Sequence, residues 1–232
     1  MAAMKRLPLH RTFIHASLGG LLLAASATAW AAGGHHAIDD ADILAPGGCK
    51  VESWYERNSA PGRLLHLGFG CRVGPVELTA STEPQRQAGT SLADHELQVK
   101  WATEVATGLK AGVSLAPTWQ SHARPRYQGT ALVGLLTWEP FESVGVHANV
   151  GRDFVHRGRD QGRGGVSADW SPGGGPWKLV AERYREQGSH FARAGVRWTV
   201  AEGWLLDLSR AVRLRGPGDH SWTLGLTREF QR

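Results

Sequence analysis

The side chains of this chain best suited to chemistry are two adjacent histidines, a few hydroxyl–imidazole neighbours, and thirteen ionisable residues spread along the rest. His35 and His36 follow Gly33 and Gly34. A chain beginning at Gly33 would surround Cu(II) in a square plane with its amine, two amides and the His35 imidazole, whereas a start at Ala32 moves His35 to fourth place and weakens that geometry. A polar lead with no metal is the plainer reading. Metal ligation stays an open alternative for His35 and His36 and is assigned nowhere else.

Nucleophilic catalysis needs a hydroxyl or thiol beside a base. His220 and Ser221 are adjacent, so on a strand they point to opposite faces. A barrel lipase would want His and Ser two apart, and the one such pair, His15 and Ser17, lies in the N-terminal leader. Asp153, His156 and Asp160 share a Gly- and Arg-rich stretch, a composition common in loops that catalyse nothing. The chain reads as a non-enzyme with no cofactor; a barrel hydrolase is an alternative.

The ionisable set is Glu52, His66, Glu77, Glu96, Lys100, Lys110, His147, Asp169, Lys178, Glu182, Arg193, Arg197 and Asp207. Each falls on the polar parity of an alternating segment, so all thirteen are expected to point to one side of a sheet. "FARAGVRWTV" sets Ala192, Ala194, Val196, Trp198 and Val200 against Arg193, Arg197 and Thr199, and after Ala201–Gly203 the rhythm resumes with Trp204, Leu206 and Leu208. "VELTAS", "HELQVKWATE", "SVGVHANVG", "GVSADWS" and "WTLGLT" repeat it.

Turn signals divide the chain into about twelve strands of roughly ten residues, the length that crosses a bilayer when tilted. Short connections at Gly74–Pro75, Thr107–Gly108, Glu139–Pro140, Ser171–Pro176 and Ala201–Gly203 alternate with longer polar ones from Arg57, Glu83, Ser121, His156, Arg185 and Arg213. Trp101, Trp138, Trp170, Trp177, Trp198 and Trp204 gather near the short-turn side, where amphipathic rings suit a membrane interface. The expected fold is all-β: a transmembrane up-and-down antiparallel barrel, apolar outside and wet inside. In such a hollow the thirteen groups either pair and plug it or line a narrow channel whose field selects the solute. Cys49 and Cys71 share parity with the apolar sides of the first two strands, and a hairpin turning near Ala60 sets them opposite each other as a disulfide.

Residues 1–31 read as a secretory signal peptide: Lys5, Arg6 and Arg11, an apolar stretch from Phe13 to Ala29, then small residues for cleavage after Ala31. Its removal takes three bases and no acid, so the formal charge falls from +5 to +2 and nucleic acid is excluded as a partner. Residues 32–47 are expected to form an extended periplasmic lead, and 48–232 the barrel.

The start "HHAIDDADILAPGGCKVESWYER" and the closing strand "SWTLGLTREFQR" resemble the proteobacterial outer-membrane barrels grouped as porins of the MetA phenol-degradation type. The resemblance implies passive passage of small solutes, aromatic or anionic ones among them, across the Gram-negative outer membrane. It also implies insertion by the barrel-assembly machinery, which reads the last strand. Outer-membrane lipid and lipopolysaccharide are the expected surroundings, the latter met by Arg57, Arg63, Arg86, Arg124, Arg126, Arg157, Arg159, Arg163 and Arg215. The alternatives to a channel are a plugged structural barrel, a barrel hydrolase and periplasmic copper capture.

Overall fold

The computed structural model describes residues 35–60, 62–87 and 89–232. The expected signal peptide and its cleavage site lie outside them. Twelve strands follow in order: β1 (Gly48–Asn58), β2 (Gly62–Val73), β3 (Val76–Gln87), β4 (Thr90–Ala106), β5 (Leu109–Gln120), β6 (Tyr127–Phe141), β7 (Val144–Val155), β8 (Gln161–Trp170), β9 (Trp177–Glu186), β10 (Ser189–Ala201), β11 (Trp204–Arg215) and β12 (Ser221–Gln231). Each pairs antiparallel with its sequence neighbours, and β1 pairs with β12 to close the barrel. Closure removes every free strand edge, which is what a sheet in lipid requires.

The alternation is inside-out. Val51, Phe69 and Val150 are 47%, 51% and 75% exposed, while Lys50, Glu52 and Thr137, on the opposite parity of their strands, are at most 7% exposed. A soluble barrel would reverse these values, so the apolar exterior marks a lipid-facing belt. The six rim tryptophans are all exposed on that exterior. Trp177 stacks on Trp198 at 4.9 Å, and the Arg228 guanidinium lies over Trp204.

Cys49 faces Cys71 in the β1–β2 register, and the two form a disulfide. The hairpin turns at Gly74 and Gly203 have φ of 60° and 69°, a conformation that glycine adopts without a Cβ clash.

Three expected connections differ. Glu139–Pro140 is not a turn but an irregularity near the end of β6, where the register shifts between Trp138 and Phe141 and the chain reverses at residues 142–143. The stretches from Glu83 and Arg185 are mostly strand: β3 runs on to Gln87 and β4 begins at Thr90, and β9 and β10 are joined by a turn of two residues at 187–188. At that rim both faces of the wall are polar, so hydrophobic alternation stops although the hydrogen-bonded ladder continues.

Candidate functional site

The thirteen ionisable residues all lie on the inner parity of their strands, and ten of them are buried; Glu96, Lys110 and Lys178 are partly so or more open. A charge enclosed this way persists only with partners. Lys50, on β1, lies 2.9 Å from Glu77 on β3 and 3.6 Å from Glu52. The Arg197 Nε donates to Asp207 Oδ1 at 2.7 Å between β10 and β11, in direct register. Lys178 approaches Asp169 at 3.2 Å, and Lys110 approaches Glu139 at 3.0 Å.

Further partners come from the lead. Expected as an extended segment outside the barrel, residues 35–47 instead run inside it, occupying the half nearer the short turns. Lys100 donates to Asp39 at 2.9 Å and to Asp40 at 3.1 Å, and Lys110 donates to Asp42 at 3.0 Å. In the opposite sense, wall acids accept the lead's amides: Ile38 N–H donates to Glu182 at 3.2 Å, and Leu44 N–H to Glu77 at 3.1 Å. Arg72 donates to the Leu44 carbonyl at 2.9 Å, and Arg193 to the His35 carbonyl. The Asn149 amide, oriented to match, bonds both the N–H and the C=O of Asp39. Gly225 leaves the space over β12 that the top of the lead fills, since a Cβ there would come within 3.2 Å of His35 Nδ1. The physical reason for the misplacement is that an acid-rich segment reads as solvated, whereas a charged lumen offers it the same polar surroundings plus fixed counter-charges.

His35 and His36 are engaged with this wall. His35 Nε2 lies 2.5 Å from Ser209 Oγ, while His36 approaches Glu182 at 3.4 Å and Asp207 at 3.7 Å. Among the described residues no group of three or more metal-ligating side chains is close enough to hold an ion.

A hydroxyl–imidazole–carboxylate chain does form, from residues that sequence reasoning had not joined. Thr137 Oγ1 lies 2.8 Å from His147 Nδ1, and His147 Nε2 lies 2.7 Å from Asp169 Oδ2. With Nε2–H donating to the carboxylate, Nδ1 is left to accept the Thr137 hydroxyl proton. Thr137 is 0% exposed, however, and its oxygen accepts the Ala41 N–H at 2.8 Å. The lead seals it from any substrate, and the chain serves as a docking point.

Beyond the lead, the lumen widens into a vestibule of about 1040 Å³ that reaches the other rim. Its floor includes His35, His36 and Lys50, and its wall includes Trp54, Glu83, Asp94 and Glu96. Trp54 points inward, its ring stacked on His66 at 3.4 Å. Trp54, Lys50, Glu83 and Asp94 had not been picked out as lumen residues; continuing the parity of Glu52, of Glu77 and of Glu96 would have placed them there. Arg163, expected among the outward arginines, turns inward and pairs with Asp153 at 3.1 Å.

Comparison with solved structures gives a KdgM porin at TM-score 0.64 and 10% identity, covering 78% of this chain and 99% of that one. A NanC porin follows at 0.61 and 8%, covering 78% and 98%, and outer membrane phospholipase A from Escherichia coli at 0.51 and 10%, covering 86% and 93%. At these identities the likeness is one of fold: outer-membrane barrels. No curated protein matches the sequence significantly. A family model matches residues 20–230, nearly the whole chain, and by that match the protein belongs to the family described as Uncharacterised conserved protein UCP029691.

Proposed function

We propose that the protein is an outer-membrane channel of the porin class whose passage is held shut by its own N-terminal lead. The observation that carries this reading is the reciprocal docking of the lead, whose acids meet Lys100 and Lys110 and whose amides meet Glu77 and Glu182. A plug held by ionic and polar contacts in a wet lumen can leave without unfolding the wall. The barrel supplies the passage, the apolar belt and tryptophan rim supply its seat in the membrane, and export by a cleaved leader brings it there. The likeness of both chain ends to porins of the MetA phenol-degradation type supports the same class. Small solutes are the cargo, with lipopolysaccharide phosphates around the arginine-bearing rim and the barrel-assembly machinery as the inserting partner. One KdgM porin of similar fold was solved in complex with disordered oligogalacturonate.

Planar-bilayer recording tests the proposal. The chain from residue 32 onward should be closed most of the time, and a variant lacking residues 33–45 should give discrete conductance steps. A folded deletion variant that never conducts would make the barrel a scaffold and end the channel reading.

A further inference from the structure

We propose that one sector of the outer wall, across the seam where β1 and β12 close the barrel, binds the phosphorylated headgroup of a lipid in the surrounding leaflet. The inference rests on reading the long-loop rim as the one that meets lipopolysaccharide, and it names the side chains that hold the lipid there. Arg57 on β1 is the direct register partner of Arg63 on β2, and Arg63 is that of Arg86 on β3. All three stand on the outer parity of their strands and are exposed, and Arg63, in the middle, also borders the mouth of the vestibule. Two strand spacings of about 4.8 Å each separate the backbones of the outer pair. Like charges directly opposite one another destabilise a strand pair, so a wall shaped by its own stability alone would set an acid among them. Among the described residues, no carboxylate lies within ion-pair distance of these three guanidinium groups. Other arginines of this rim do have acids: Arg152 lies 3.4 Å from Asp160, and Arg163 lies 3.1 Å from Asp153.

What lies beside and beneath the row points to a lipid rather than a free anion. Arg57 faces Trp222 of β12 on its other side, and the Arg210 guanidinium of β11 lies over the exposed Trp222 ring at 5.2 Å. One outward-facing position closer to the middle of the wall, Leu65, Tyr55, Leu224 and Leu208 form the next rung in unbroken register, and all four are exposed on the apolar belt. The surface therefore steps from guanidinium and indole to hydrocarbon within two residues of each of these strands. A lipid makes the same step from phosphate to acyl chain, and a free anion does not. The guanidinium forks donate paired N–H groups to phosphate oxygens, and the indole suits the boundary between headgroup and chain.

Native mass spectrometry of the detergent-folded full chain, titrated with lipid A bearing two phosphates, tests the assignment. Saturable binding is expected, weakened about tenfold or more by Arg57→Gln with Arg86→Gln. Stripping the phosphates from the lipid should weaken binding to the native chain as much. Arg152→Gln, at the same rim but with its own acid, should leave it unchanged. Should the double variant lose its heat-modifiable mobility on gels, Arg57→Gln alone should weaken binding severalfold. No binding, native affinity in the Arg57 and Arg86 variants, an equal loss in Arg152→Gln, or inorganic pyrophosphate displacing the lipid at equal concentration would each overturn the proposal. Binding is read without conductance, so a barrel that holds the lipid but never conducts ends the channel reading alone, and a conducting barrel that holds none ends this site alone.

Discussion

Replacing Lys100 by Met should release the lead. The ammonium is 95% buried and bonds Asp39 at 2.9 Å and Asp40 at 3.1 Å. Asp40 is 4% exposed and Asp39 29%, so each loses one of its counter-charges, the first where water barely reaches and the second where it is partly screened. Removing one partner of a buried pair costs about 3–5 kcal/mol because the other charge stays behind. That cost bears on the docked state alone, since an undocked lead leaves its carboxylates in water. At 1.4 kcal/mol per tenfold, the docked-to-free ratio should fall by roughly two to three orders of magnitude. Single-channel records should show long closures in the native protein and mostly open states in Lys100→Met, approaching the lead-deleted barrel. Limited proteolysis of the refolded protein should likewise cut the lead sooner. A Lys100→Met channel as closed as the native one, beside a conducting deletion, would refute the argument that this ion pair holds the plug.

Three further outcomes follow from the wall. Arg197→Ala should destabilise the barrel by about 3–5 kcal/mol by stranding Asp207, which is 1% exposed, whereas Arg197→Met with Asp207→Leu should recover most of the loss in denaturant titrations. Val150→Arg, at the middle of β7 on the lipid face and 75% exposed, should cost about 2–4 kcal/mol in the same assay in bilayers. Replacing both Cys49 and Cys71 by Ser opens a link across 22 residues and should lower unfolding stability by about 3 kcal/mol on loop-closure grounds; reductant should mimic it in the native protein.

The wall was legible because a strand in lipid must repeat apolar and polar residues with period two, and Val144–Val150 or Trp222–Leu226 show this without help from distant residues. The Cys49–Cys71 pair followed from the same parity plus one hairpin. Where both faces are wet, as at Glu83–Gln87, periodicity disappears and the strand passed for a loop. Glu139–Pro140 looked like a turn because Pro cannot donate to a ladder, yet a strand irregularity accommodates it equally well.

What the sequence determined by itself is the barrel: the side that residues of the alternating stretches face, the strand number, the rim of tryptophans and the disulfide all obey local rules of spacing. What only the tertiary structure decided is the content of the hollow. Asp39, Asp40 and Asp42 are 60 or more residues from the lysines they meet, and Glu182 lies 144 from the Ile38 amide it accepts. Pairing at such distances depends on twelve strands closing around a common axis, which brings charges from every wall within reach of one segment. No run of neighbouring residues carries that information.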